Sequence, residues 1–230
     1  MKIPFILVML GCLFTNLLLA QPTIIEKTMT VPADKRVDLR FDFGNNIKIT
    51  AWDRKDASVK MTYLINNGRL NDALQPTFTA ENGTARIDVK FDREKMKTGR
   101  ATDCPDSQRN LNHYYQDGVE IFTCQQIDYE VFVPRDANIT VNSVHCSIEL
   151  RGLTGPVRAK SIHGFVDMNW PAKKGAEVTL KTVHGDVFSN LLIQFSGKKD
   201  EQRLSGVVNG GGTDITLETI HNNVYLRQMK

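Results

Sequence analysis

The chain has 230 residues, 41% of them hydrophobic and 24% charged, the profile of an ordinary globular protein of one domain or two small ones. Lys and Arg number 29 against 26 Asp and Glu, a formal charge of +3, which argues against a strongly basic nucleic-acid binder and leaves no acidic tail. Gly 16 and Pro 8 are too few for a collagen or a Pro-rich linker protein.

At the N-terminus, Lys2 precedes an apolar run that ends Leu18-Leu19-Ala20 before Gln21-Pro22. This predicts a secretory signal peptide over 1–20, cleaved after Ala20. Gly11-Cys12 opens a lipoprotein reading, yet LFTNLLLA continues the apolar run where a lipidated cysteine is normally followed by a polar tether. No later stretch reaches the ~18 apolar residues that span a bilayer. The expected mature chain is therefore exported and not membrane-spanning. Export permits disulfides. Cys104 and Cys124 flank a polar, aromatic segment, and a bridge there would close a loop of about 20 residues, worth roughly 3 kcal/mol. Cys146 falls inside a repeat and is expected as a small buried side chain.

The strands of the first half are loosely patterned. VDLRFDFGNNIKITAW (37–52) alternates, turns at Gly44-Asn45-Asn46 and resumes, while VKMTYLI (59–65) and ARIDVKF (85–91) are further strands. NGR (67–69) and ENGT (81–84) are turns. Residues 93–126 are polar and aperiodic and read as an insertion, after which IDYEVFVP (127–134) is a strand. No linker separates the halves, so 21–230 is expected as a single β domain with parts 21–92, 93–126 and 127–230.

Four gapless repeats then carry most of the information: ITVNSVHCSIEL (139–150), VRAKSIHGFVDM (157–168), VTLKTVHGDVFS (178–189) and ITLETIHNNVYL (215–226). Each alternates with period two on both sides of a Ser/Thr-x-His turn, so each reads as strand, turn, strand. The histidines at 145, 163, 184 and 221 are spaced by 18, 21 and 37 residues; the last interval is either two coils or one coil with an excursion, and the polar SGKKDEQ favours an excursion over 191–212. A single repeat cannot bury its apolar face; stacking at the ~4.8 Å strand spacing can. The expected fold is all-β, stacked β-strand repeats forming a β-solenoid of the single-stranded β-helix kind, with a looser N-terminal β part. GNNIKI overlays HNNVYL, with Gly44 in the histidine slot.

The order IDYEVFVPRDANITV, VHC-SIEL, IHG-FVDM, VHG-DVFS and NGGGTDITLETIHNNVYL resembles the bacterial exported "putative adhesin" β-strand-repeat family, a domain of unknown function, over roughly residues 37–230 apart from 93–126. The resemblance implies a β-solenoid-like fold in the cell envelope and supplies no catalytic residues. Its turn slot often carries Asn or Ser before Gly, where this chain has His four times.

Two candidate sites follow. His145, His163, His184 and His221 would form a ladder, and zinc or another transition metal at ~2.0–2.1 Å from imidazole nitrogens could recruit two or three neighbouring rungs. Asp186 and Cys146 stand by as further ligands; the plainer reading is that His suits the turn and stacks. By parity, Phe165, Asp167, Phe188 and Tyr225, with Trp170 nearby, form an aromatic and acidic strip facing away from the core. Nucleophile-elbow, zincin, Walker and dinucleotide fingerprints are missing. The sequence thus points to a non-catalytic exported envelope protein, periplasmic, outer-membrane-associated or extracellular, whose partner is a protein or glycan rather than nucleic acid. A metal-binding periplasmic module is the alternative, and a carbohydrate-active enzyme a distant third.

Overall fold

The computed structural model describes residues 21–104, 111–196 and 202–229. The expected signal peptide, with Cys12, and residues 197–201 of the polar loop lie outside the described residues. Eighteen strands are described. They are β1 (Thr23–Thr30), β2 (Arg36–Phe41), β3 (Asn46–Trp52), β4 (Asp56–Ile65), β5 (Leu74–Glu81), β6 (Thr84–Phe91), β7 (Leu111–Gln116), β8 (Val119–Pro134), β9 (Asn138–Ser143), β10 (Ser147–Arg151), β11 (Val157–Ser161), β12 (Val166–Trp170), β13 (Ala176–Lys181), β14 (Val187–Ser189), β15 (Gln194–Phe195), β16 (Arg203–Val208), β17 (Thr213–Glu218) and β18 (Val224–Gln228). One α-helical turn, Arg93–Met96, its start capped by the Asp92 carboxylate, and three 3-10 turns (Asn66–Gly68, Asn71–Ala73 and Ala101–Asp103) interrupt them.

Each repeat gives one strand to each of two sheets. The strand before the histidine joins the sheet ordered β15-β16-β13-β17-β11-β9-β2-β6-β5. The strand after it joins the sheet ordered β1-β4-β8-β3-β10-β12-β18-β14, with β7 paired to β8. Period-two alternation turns Val157, Ala159, Val178, Leu180, Ile215 and Leu217 inward from one sheet and Val166 and Val224 from the other, all buried. Val187 is only partly buried, because β14 is the edge strand. The inward side chains of both sheets merge into one core.

Stacking is in register. Val157 pairs with Ile139 on one side and Ile215 on the other, and Ile215 pairs in turn with Val178. The rungs do not follow chain order: the fourth repeat inserts between the second and the third. Both sheets are mixed and open, so closed coils in sequence order, as a solenoid requires, are not what the strands show. Parallel rungs occupy the middle, and antiparallel pairs finish the ends.

Residues 191–212 are more than a polar loop. β16 runs antiparallel along β13, β15 runs along β16, and this detour returns the chain to the slot between β11 and β13. Residues 93–126 are likewise more than an irregular insertion. β7 and the first half of β8 form a hairpin, and β8 continues without a break into the strand expected at 127–134. Cys104 and Cys124 are joined by a disulfide that ties the preceding turn to β8. Among the described residues, no helix is long and apolar enough to cross a membrane.

Candidate functional site: a column of rings and an outer strip

The turn joining the two strands of each repeat is built by three positions. Two residues before the histidine, a buried Ser or Thr reaches across to the neighbouring rung. The Ser161 hydroxyl donates to the Cys146 carbonyl at 2.8 Å, Thr219 to the Gly164 carbonyl at 2.7 Å and Thr182 to the Asn222 carbonyl at 2.7 Å. These bonds satisfy turn carbonyls that the sheets leave unpaired. At the histidine itself, the backbone N–H of His163 donates to Val144, that of His221 to Ile162 and that of His184 to Ile220. After the histidine the turns nearly touch. A Cβ on Gly164 would lie 2.0 Å from the Cys146 carbonyl oxygen, and one on Gly185 would lie 2.2 Å from that of Asn222. The Ser/Thr-x-His-Gly pattern is therefore the stacking geometry written into sequence.

This geometry brings the four histidine rings together on an exposed edge. Their spatial order is 145, 163, 221, 184, with centroid separations of 4.6, 4.8 and 5.1 Å and interplanar angles of 11°, 5° and 11°. Two further rings, unforeseen in the sequence, prolong the column. Phe43 stacks on His145 at 5.2 Å, and Phe91 lies 5.3 Å beyond Phe43. Phe43, not Gly44, thus fills the histidine slot of the first-half strands. The Tyr129 hydroxyl holds it there by donating to the Phe43 carbonyl at 2.8 Å. Burial pushes the Tyr129 phenol well above its ordinary range.

Face-to-face stacking decides what the column can do. Ring nitrogens point along their own ring planes, so the lone pairs of successive histidines run side by side rather than converging. Among the described residues, no group of three or more His, Cys, Asp or Glu is placed to hold a metal ion. Cys146 is buried with its sulfur toward the Phe41 carbonyl, and burial pushes its thiol up to about 12. His145 is held below its ordinary value, first by partial burial and then by the charge of neighbouring His163.

The outer strip is only partly as the parity argument drew it. Phe188 stacks on Tyr225 at 5.2 Å, Phe165 meets Tyr225 edge-on at 6.3 Å, and the Arg227 guanidinium lies 4.8 Å from the Tyr225 centroid. Phe188 is 46% exposed. Asp167 is buried instead. Arg151 hydrogen-bonds it at 3.0 Å, and Arg227 approaches its other oxygen at 3.2 Å. Trp170 is not on this face at all. It is fully buried in the core, its indole N–H donating to the Lys174 carbonyl. Its place at the end of β12 shifts it inward by one strand position relative to Asn169, a parity that alternation from Val166 already contains.

No protein-family model and no curated protein matches the chain. Among solved structures, one described as a "putative cell adhesion protein" from Clostridium sporogenes superposes with a TM-score of 0.53 at 9% identity, covering 91% of this chain and 100% of that one. Two others, each described as a "putative adhesin", come from Bacteroides fragilis and Parabacteroides distasonis. They cover 91% of this chain and 99% and 98% of their own, at 9% and 8% identity, with TM-scores of 0.26 and 0.25, too low to carry an argument. What this chain shares with the Clostridium protein is the fold.

Proposed function

We propose that the chain is a non-catalytic exported protein of the cell envelope, whose stacked β surface serves adhesion or assembly through a protein or glycan partner. The observation that carries this reading is the column Phe91-Phe43-His145-His163-His221-His184, its four histidines exposed and its two phenylalanines half-buried. It sets rings at intervals of about one strand spacing along a rigid edge, an arrangement suited to an extended, repetitive contact. The adhesion name of the Clostridium sporogenes structure, whose fold is similar, agrees with it. The test is retention of the purified protein on isolated cell envelopes, measured by co-sedimentation beside an unrelated β protein of similar charge. Retention no greater than that of the control refutes the reading. A metal-binding role would displace it if zinc raised the melting temperature of the wild type but not of a His163→Asn/His184→Asn variant, which removes both neighbours of His221.

A further inference from the structure

At its Phe91 end the ring column opens onto a groove of about 900 Å³, at the upper end of the ~300–1,000 Å³ typical of small-ligand sites. One wall is the column itself, with Phe43, Phe91 and His145, flanked by Asp42 and Arg93. The other wall is one face of the β7–β8 hairpin. Alternation along β7 delivers Asn112, Tyr114 and Gln116 to it, and β8 adds Thr123 and Gln125. The alternate side chains of the same hairpin are engaged internally: His113, which also reaches the rim of the groove, stacks on Phe122 at 4.9 Å and bonds Glu120 at 2.7 Å.

The groove face differs. Among the described residues, the side-chain amides of Asn112, Gln116 and Gln125, the Tyr114 hydroxyl and the Asp42 carboxylate have no hydrogen-bond partner in the protein. Tyr114, 40% exposed, stacks on no described ring. A hairpin pinned at its base by the Cys104–Cys124 disulfide thus holds an open aromatic face between planar amides, across a groove from more rings.

That combination has a chemical counterpart. A pyranose has an apolar C–H face that packs on an aromatic ring, and vicinal hydroxyls that pair with amides and carboxylates, each both giving and accepting. An apolar peptide would leave the amides unpaired, at a cost in affinity. A strongly anionic ligand would meet Asp42 and find Arg93 alone to pair with its charge, since Lys90 is engaged by Asp88 at 2.9 Å. We infer that this groove is a binding site for a neutral oligosaccharide, seated with a sugar ring on Tyr114 and its hydroxyls on Asn112, Gln116, Gln125 and Asp42. The inference rests on the adhesion reading and names its ligand class.

The experiment is calorimetric titration of the purified protein with neutral tetrasaccharides of glucose, mannose, N-acetylglucosamine and galactose. Circular dichroism and melting temperature verify that each variant is folded. The expected result is saturable binding of at least one probe, weakened at least tenfold by Tyr114→Ala and at least threefold by Gln116→Ala. Phe188→Ala, on the distant strip, should leave it unchanged. Absence of binding by every probe overturns the inference, as does binding that survives Tyr114→Ala. The two readings fail separately. Envelope retention that resists periodate oxidation of glycans and is unaffected by Tyr114→Ala removes the saccharide groove while leaving adhesion standing. Loss of all envelope retention in the wild type removes both.

Discussion

Replacing Ser161 by Ala tests whether the hydroxyl ladder holds the rungs together. Ser161 is fully buried and has two partners. Its oxygen donates to the Cys146 carbonyl at 2.8 Å in the neighbouring rung and accepts from the Gly164 N–H at 2.9 Å in its own turn. Alanine removes both bonds at once and leaves a carbonyl and an N–H unpaired where Gly164 and Cys146 press too closely for water to replace them. Leaving one buried polar group unpaired costs about 1–3 kcal/mol, so two should cost about 2–4 kcal/mol once partial relaxation is allowed. For a domain of this size that is a fall in melting temperature of about 5–15 °C. Thr182→Val, which removes a single bond to Asn222 at the edge rung, should cost about half as much. The assay is urea unfolding in non-reducing buffer, with the dependence on denaturant confirmed unchanged so that the midpoint reports stability. A Ser161→Ala loss below about 1 kcal/mol, or one equal to that of Thr182→Val, would refute the ladder as a source of stability.

Acidification should act through the column. Because His145 is held below its ordinary value, the folded state resists its protonation. Stability is then at its full value above the unfolded-chain value of about 6.5 and falls as pH drops from there through the lower folded value. Calorimetric melting at pH 7.5 and 5.5 should show a loss that His145→Asn reduces, and an equal loss in both proteins contradicts this. Cys146, with its thiol pushed up to about 12 and its side chain buried, should resist a thiol-reactive dye in the native protein and react once it is unfolded. Cys104→Ser/Cys124→Ser should cost about 3 kcal/mol in urea unfolding, the chain-entropy value for a loop of about 20 residues. A cost near zero would mean that the hairpin contributes little to the cooperative unit.

The repeats were legible because each conserved slot in the four copies answers one steric or polar demand. The Ser or Thr hydroxyl and the histidine N–H both bond carbonyls in the turn of the preceding rung, and Gly164 and Gly185 leave room for a carbonyl that a Cβ would meet at 2.0 and 2.2 Å. Their spatial order was not legible. Val157, Val178 and Ile215 present the same apolar partner to a neighbour, so nothing within a repeat says which other copy it should meet. That choice is made by β16, whose antiparallel pairing occupies the far side of β13 and sends β17 to the near side. Edge strands were hidden for a different reason. β1 reads TIIEKTMT and β7 reads LNHYYQ, both largely exposed, so their side chains owe no alternation to a core. β5 contains Pro76, which argues against a central strand and is tolerated at the end of the sheet. The column was placed at Gly44 instead of Phe43 because the first-half turn holds one more residue than the others. Phe41 pairs with Ser143 and Asn46 with Ser147, so four residues intervene where three do in the repeat.

The insertion of β17 between β11 and β13 also governs the order of events during biosynthesis. A chain delivered N-terminus first presents β11 and β13 before β17 exists, and the two cannot become final neighbours of one another. Until residues 213–228 arrive, β11 has one open backbone edge, as does β12 in the other sheet awaiting β18. Such edges are templates for unwanted strand pairing with other chains. Residues 213–228 therefore act as a keystone, joining β11 to β13 in one sheet and β12 to β14 in the other. A nascent protein halted before residue 213 should be held soluble only by helpers that mask those edges, however complete its first three repeats.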